Sequence, residues 1–243
     1  MNLIVDIGNS RVKAAVTDGD GVVAMRAFAS PAESDICAML DAYPAVGRCI
    51  VASTGVGAEG VAEMLRARGL RVLVMSPSTP VPIGNAYLTP DTLGVDRLAA
   101  AVGAVALTGS GNCLIVDFGT AITVDLVTDG VFRGGNISPG VGMRFRALHD
   151  YTSRLPECSP AEVASALGSS TREAIEQGVM QGVMYEIEGH IARLTEKIKD
   201  LSVIFTGGDA KYFVKRIKNT IFANRELVIC GLNRILEYNA KIE

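Results

Sequence analysis

The sequence has no Cys-x-x-Cys, and its two histidines, His149 and His190, have no metal-ligand spacing to each other or to a cysteine. Its five cysteines (Cys37, Cys49, Cys113, Cys158 and Cys230) are scattered. Neither a zinc site nor a disulfide framework is therefore expected, and the thiols read as buried side chains of a reducing compartment. No charge sign dominates: 23 lysines and arginines stand against 26 acids, for a net charge of -3. That balance supplies no broad attraction for nucleic acid or an anionic membrane surface. The longest apolar run, Leu98 to Leu107, is alanine-rich and too short to span a bilayer. Asp6 and Arg11 interrupt the N-terminal stretch where a secretory signal needs its apolar segment. A cytoplasmic protein with no nucleic-acid or membrane partner is expected. Two nucleotide motifs are also missing. There is no Gly-x-x-x-x-Gly-Lys-Ser/Thr, and no Gly-x-Gly-x-x-Gly follows a strand and opens a helix.

What is present is a repeat. "NLIVDIGNS" begins at Asn2 and "CLIVDFGT" at Cys113, so an offset of 111 residues sets Asp6 on Asp117, Gly8 on Gly119 and Asn9 on Thr120. At the same offset Val16-Thr17-Asp18-Gly19 falls on Val127-Thr128-Asp129-Gly130, and an apolar strand follows each Asp-Gly. Both copies spell strand, turn, strand, hairpin, strand. Leu3-Ile4-Val5 and Leu114-Ile115-Val116 are continuous apolar runs, the mark of strands buried on both faces.

Beyond each three-stranded unit the pattern alternates helix and strand. In the first half this predicts helices near 33–42, 58–68 and 93–107, with strands at 48–52 and 71–75. In the second half it predicts a long helix from about Thr171 to Lys199, a strand Val203 to Phe205 and a helix Asp209 to Ile217. A strand Leu227 to Ile229 and a final helix from Leu232 follow. Gly178 and Gly182, four apart on the long helix, suit the close approach of another helix, and the acids around them exclude a membrane span. No Pro/Gly/Ser linker divides the chain. The expectation is two duplicated α/β halves, 1–110 and 111–243, each a mixed sheet of three antiparallel strands followed by alternating helices and strands.

An Asp ending a buried strand, followed by Gly and a hydroxyl or amide residue, makes a tight turn. Its backbone N–H groups face an anion while its carboxylate holds a hydrated cation. Two such turns brought together by the duplication would grip a polyphosphate from both sides, with Mg2+ between them. Thr206-Gly207-Gly208-Asp209 has two readings: backbone bare enough for an adenine or ribose, or a plain strand-to-helix turn capped by Asp209. Asp96 likewise reads as a carboxylate favoured by the helix dipole or as a catalytic base, and Tyr87 as a core aromatic or a ligand contact. Arg97 reads as a carboxylate clamp or as an exposed helix arginine in an ion pair. Ser170-Thr171-Arg172-Glu173 fits a capping box that leaves the Thr171 hydroxyl free for a ligand. Arg144 and Arg146 read as solvated helix arginines.

Taken together, Asp6-x-Gly8-Asn9-Ser10-Arg11-x-Lys13, Gly94-Val95-Asp96-Arg97, Asp117-x-Gly119-Thr120-Ala121-x-Thr123, Gly134-Gly135-x-Ile137-x-Pro139-Gly140 and Thr206-Gly207-Gly208 resemble the type III pantothenate kinases. These enzymes belong to the acetate-kinase/sugar-kinase/chaperone-ATPase/actin superfamily. Ser10 stands where many members have Thr, which keeps the hydroxyl. The resemblance implies ribonuclease-H-like (actin-like ATPase) domains and the ATP-dependent phosphorylation of pantothenate to 4'-phosphopantothenate, the first step of coenzyme A biosynthesis. It implies ATP binding by Asp6, Ile7, Gly8, Asn9, Ser10, Arg11, Val12 and Lys13, by Thr120, and by Gly207 and Gly208. Pantothenate falls to Tyr87, Gly94, Val95, Asp96, Arg97 and Thr171, with Asp96 as proton acceptor. It further implies Mg2+ held through water by Asp6, a monovalent cation (K+ or NH4+) at Asp117, and a homodimer. Two other readings stay open: a kinase of the same superfamily with another hydroxyl or carboxylate acceptor, and a non-catalytic relative that affects gene expression.

Overall fold

The computed structural model describes residues 1–9, 11–29, 33–55, 57–161, 167–217 and 221–242. In chain order the strands and helices are β1 (Asn2–Ile7), β2 (Val12–Asp18), β3 (Gly21–Phe28), α1 (Glu33–Ala42), β4 (Arg48–Ser53), α2 (Ala58–Ala67), β5 (Arg71–Val74), β6 (Gly84–Asn85), α3 (Val95–Thr108), β7 (Cys113–Phe118), β8 (Ala121–Thr128), β9 (Val131–Pro139), α4 (Val141–Asp150), α5 (Thr171–Thr195), β10 (Ser202–Thr206), β11 (Ile221–Ala223) and α6 (Leu227–Ile242). They divide into two compact units. The first is Met1–Gly111 with Thr128–Arg133 and Glu226–Glu243; the second is Asn112–Val127 with Gly134–Arg225.

Each unit carries the same sheet. In the first the order is β3-β2-β1-β4-β5, with β1 antiparallel to β2 and parallel to β4. In the second it is β9-β8-β7-β10-β11, with β7 antiparallel to β8 and parallel to β10. The apolar runs Leu3-Ile4-Val5 and Leu114-Ile115-Val116 lie mid-sheet and fully buried, as strands covered on both faces must. Leu3 and Val5 pack with Ile36, Met39, Val61 and Leu65 from α1 and α2, and Leu114 and Val116 pack with Ile175, Val179, Val183 and Ile187 of α5. This is the α/β architecture expected, twice over.

The repeat is not in register throughout. Pairing sets Lys13 opposite Asp6 but Thr123 opposite Asp117, an offset of 110 residues, because the second turn is one residue shorter than the first. The offset stays at 110 to the far end of β8, where Val127 pairs with Cys113 as Thr17 pairs with Asn2. There Asp129 and Gly130 both have positive φ, 52° and 70°, the geometry of a two-residue type I′ hairpin turn.

Three expectations are corrected. The residues Leu227 to Ile229 are not a strand but the first turn of α6, and the strand beside β10 is Ile221–Ala223. A short apolar run with a β-branched pair does not by itself distinguish strand from helix. The stretch expected as a helix from Asp209 to Ile217 holds a 3-10 turn, Ala210–Tyr212. The single boundary near 110 also gives way, since Thr128–Arg133 and α6 belong to the first unit. Gly84 and Asn85 of β6 pair with Val131 and Phe132 at the start of β9, and α6 lies against α3.

The α3–α6 contact is where glycines admit a close helix crossing. A Cβ on Gly231 would lie 1.8 Å from the Ala99 carbonyl oxygen, and one on Gly103 would lie 2.3 Å from that of Leu227. Gly178 and Gly182, expected to serve this purpose, have nothing within 4 Å of an added Cβ. Hydrogen bonds from Asn233 tie α6 to the sheet. Asn233 Oδ1 accepts from Asn2 Nδ2 at 3.0 Å and from Thr17 Oγ1 at 2.7 Å, while its Nδ2 donates to the Gly19 carbonyl at 2.9 Å. Overpacking a helix crossing of this kind costs about 3 kcal/mol. Gly231→Ala should therefore lower the unfolding free energy measured in urea by an amount of that size, whereas Gly60→Ala, in open space on α2, should raise it by up to about 1 kcal/mol.

Candidate active site

In the first unit the site is built at the carboxyl end of β1. Asp6 sits there opposite Lys13, and the Gly8 N–H donates to the Arg11 carbonyl at 3.1 Å to close the turn. Ile7 and Val12 are core side chains, so only their backbone faces the turn; Asn9 and Arg11 are exposed. Ser10 lies outside the described residues. The Asp6 carboxyl is pushed up to about 6, first by burial and then by the nearby negative Asp96, with Lys13 opposing both. Residues 90 positions apart in the sequence thus share one electrostatic field. Beside them, at the same end of the sheet, Thr54 donates its N–H to the Ile7 carbonyl at 3.1 Å, and Ser53 Oγ accepts from the Gly55 N–H at 3.1 Å. Sequence reasoning passed over this Ser53-Thr54-Gly55 segment, whose position follows from the parallel pairing of Ile7 with Ser53.

Asp96 occupies the first turn of α3, where its Oδ1 accepts the Arg97 N–H at 2.9 Å. The carboxylate folds back over Gly94, where a Cβ would lie 2.5 Å from that oxygen. Arg97 is not an exposed helix arginine. It is 6% exposed, with its guanidinium carbon 5.6 Å from the Tyr87 ring centroid and 5.8 Å from that of Phe132. Tyr87 and Phe132 meet edge to face at 6.0 Å. Tyr87, Gly94, Val95, Asp96 and Arg97 are therefore one cluster, and Phe132 is its unanticipated member.

In the second unit Asp117 ends β7 as Asp6 ends β1, and the Gly119 N–H donates to the Ala121 carbonyl at 3.2 Å. Thr120 is exposed at the tip of this turn, and Gly140 backs it, donating its N–H to the Thr120 carbonyl at 3.1 Å. A Cβ on Gly140 would stand 2.3 Å from that oxygen. Gly207, with φ at 91°, lies against Asp117: a Cβ there would be 2.4 Å from Asp117 Oδ1 and 2.5 Å from the Phe118 carbonyl oxygen. The Asp209 N–H donates to that same carbonyl at 3.1 Å. Asp117, Gly119, Thr120, Gly207 and Gly208 thus gather at the carboxyl ends of β7 and β10, where open α/β sheets bind ligands.

Thr171 lines a cavity of about 650 Å³ together with Arg144, Leu148, Leu155, Ile175, Gly178 and Val179. Ser170 is the N-cap of α5 and accepts the Glu173 N–H at 3.3 Å. Glu173 reaches back one residue further than a standard capping box, to the Ser169 N–H and hydroxyl, which hold its carboxyl below the usual range. Arg144 is not a solvated arginine. Its Nε donates to the Pro139 carbonyl at 2.7 Å and its Nη2 bridges Ser138 and Glu186. Burial works to raise the Glu186 carboxyl, but the Ser138 and Arg144 hydrogen bonds and the charges of Arg144 and His190 outweigh it and hold it low. That cluster ties the segment carrying Gly140 to α5.

A family model of type III pantothenate kinases matches residues 2–193. The chain belongs to the type III pantothenate kinases. It is 41% identical over 243 residues, the whole of both chains, to the type III pantothenate kinase of Phocaeicola vulgatus. Among solved structures its fold resembles a protein of Sinorhizobium meliloti described as a 2-dehydro-3-deoxygalactonokinase, at a TM-score of 0.64 and 17% identity over 98% of this chain and 99% of that one. It also resembles one of Campylobacter jejuni described as a Baf family transcriptional activator, at 0.63 and 20% identity over the same shares. Those two likenesses establish the kinase-type fold, and the family membership makes the chain a phosphotransferase. No helix among the described residues is long and apolar enough to cross a membrane.

The raised Asp6 has a consequence for stability. Its folded-state value lies above the ordinary 3.8, so its charge opposes folding above about pH 6, and the penalty fades as pH falls towards 4. Asp6→Asn should gain about 3 kcal/mol at pH 7.5, the gain vanishing below pH 4, as urea unfolding at the two pH values would measure.

Proposed function

We propose that this kinase transfers the γ-phosphoryl group of ATP to the primary hydroxyl of pantothenate, giving 4'-phosphopantothenate, the entry to coenzyme A biosynthesis. The observation that carries the reading is the shared field of Asp6 and Asp96: a phosphate-type turn and a carboxylate at a helix start, within one unit. Asp96 accepts the hydroxyl proton of the acceptor, a role that needs only modest basicity because the phosphoryl transition state is loose. Arg97, Tyr87, Gly94 and Val95 hold pantothenate, with Thr171 as a further contact.

The Asp6 to Lys13 turn and Thr120 bind phosphate oxygens, and Gly207 with Gly208 accommodates the nucleoside. The oxygen chemistry of Asp6 suits a hydrated hard divalent cation brought in with ATP, and a cation there relieves the repulsion between Asp6 and Asp96. Such a cation neutralises charge on the phosphate oxygens. Asp117 takes the monovalent cation, K+ or NH4+, for which a carboxylate against the bare backbone of Gly207 is a suitable donor set. We place the enzyme in the cytoplasm as a homodimer. The open face of α5 around Gly178 and Gly182 supports a second chain there.

Pantothenate-dependent ADP release is the direct assay. Asp96→Asn should lower kcat about a thousandfold while leaving the KM for ATP within a factor of two. An undiminished kcat would remove Asp96 from the proton transfer. Turnover of a sugar and not of pantothenate would move the chain to another acceptor.

A further inference from the structure

We infer that Asp209 is a specificity residue for the nucleotide: its carboxylate accepts hydrogen bonds from the ribose hydroxyls of ATP. The inference rests on the reading that Gly207 and Gly208 accommodate the nucleoside, and it names the part of the nucleoside that this turn recognises.

Asp209 follows the two glycines at the carboxyl end of β10, where a helix cap or a ligand contact would each suit an aspartate. The structure removes the first role. Asp209 precedes only the 3-10 turn Ala210–Tyr212, and its side chain makes no capping hydrogen bond. Its backbone, at φ -92° and ψ -3°, lies outside the extended region of a capping residue and in the bridge region where many active-site residues sit. The residue is half-buried, yet among the described residues no hydrogen bond or salt bridge uses its carboxylate. Burial raises this carboxyl above its ordinary range, with the Lys211 charge opposing. A carboxylate drawn partly out of water and committed to nothing local keeps its acceptor oxygens for a ligand.

The two glycines before it differ in what holds them. Gly207 is required by the fold, with φ at 91° and a Cβ position only 2.4 Å from Asp117 Oδ1. Gly208 is exposed, and an added Cβ would meet nothing within 4 Å. The packing gives no reason for a glycine there, whereas a flat sugar or base lying against bare backbone does. Asp209 borders that open space, and its own position is fixed. Its N–H donates to the Phe118 carbonyl at 3.1 Å, and its carbonyl accepts the Tyr212 N–H at 3.0 Å. Phe213 stacks on Phe118 at 4.8 Å, and Phe118 meets Phe205 edge to face at 4.9 Å, all three rings buried. The carboxylate so held offers two oxygens side by side, which the adjacent 2' and 3' hydroxyls of a ribose can both meet. The two hydrogens of an adenine amino group diverge and leave one oxygen unmet.

The experiment measures dissociation constants of ATP, 2',3'-dideoxy-ATP and ITP with Mg2+ and no acceptor, so the outcome does not depend on the pantothenate assignment. The full-length enzyme is compared with Asp209→Ala and Gly208→Val. The unmodified enzyme should bind the dideoxy nucleotide about tenfold more weakly than ATP, and ITP within a factor of two of ATP. In Asp209→Ala the affinity for ATP should fall about tenfold, to within a factor of two of the dideoxy nucleotide. Gly208→Val should weaken both equally, because it fills space that both nucleosides use. A preference for ATP over the dideoxy nucleotide that is absent from the unmodified enzyme, or that survives in Asp209→Ala, would overturn the inference. So would a preference for ATP over ITP that Asp209→Ala abolishes, which would move the contact to the base. Unchanged ATP affinity in Gly208→Val would instead remove the nucleoside from this turn, and the inference would fall with that reading.

Discussion

The arrangement depends on a carboxylate held at the buried end of a central strand. Asp6 is pushed up towards neutrality by burial and by Asp96, and Lys13, across the β1–β2 pair, pulls it back. A charge in that position opposes folding, so the fold around it has to be secured elsewhere. The helix that carries Asp96 is held against α6 at the Gly103–Gly231 crossing, and α6 is tied to β1 and β2 by the Asn2, Thr17 and Asn233 hydrogen bonds. Close apolar packing remote from the site thus holds two like-charged groups near each other. A cationic ligand relieves their repulsion.

Duplication supplied the same turn twice, and the surroundings then diverged. In the first unit the strand-end carboxylate is opposed by a lysine and answered by a second carboxylate. In the second, Asp117 is paired in register with Thr123 and abuts the bare backbone of Gly207. The sheet order is common to both units, yet the two strand-end carboxylates sit in different surroundings. The helix-start cluster of Asp96, Arg97, Tyr87 and Phe132 belongs to the first unit.

Much of this was legible in the sequence. Continuous apolar runs gave both central strands, the Asp-Gly pairs gave the hairpins, and Ser170 with Glu173 gave the start of α5. Each is a local signal, decided by residues within a few positions. What was not legible depends on distant partners. Leu227-Val228-Ile229 reads as a strand until Gly103 and Ala99 supply the surface that makes it a helix turn. The one-residue difference between the two turns is hidden because Asp18-Gly19 and Asp129-Gly130 align at an offset of 111 although they take different places in their hairpins. Arg97 reads as a surface residue because nothing near it in sequence shows that Tyr87 and Phe132 will enclose it. The pairing of Arg144 depends on Glu186, 42 positions on.

The claim on which the account turns is that the Asp6 carboxyl feels the charge of Asp96, and carbon-13 NMR of the labelled Asp6 carboxyl in the free enzyme measures it most directly. The account predicts a midpoint near 6 in the unmodified protein and a lower one when Asp96 is replaced by asparagine, still above the ordinary 3.8 because burial remains. A midpoint at the ordinary carboxylate value, unmoved by that replacement, would contradict it.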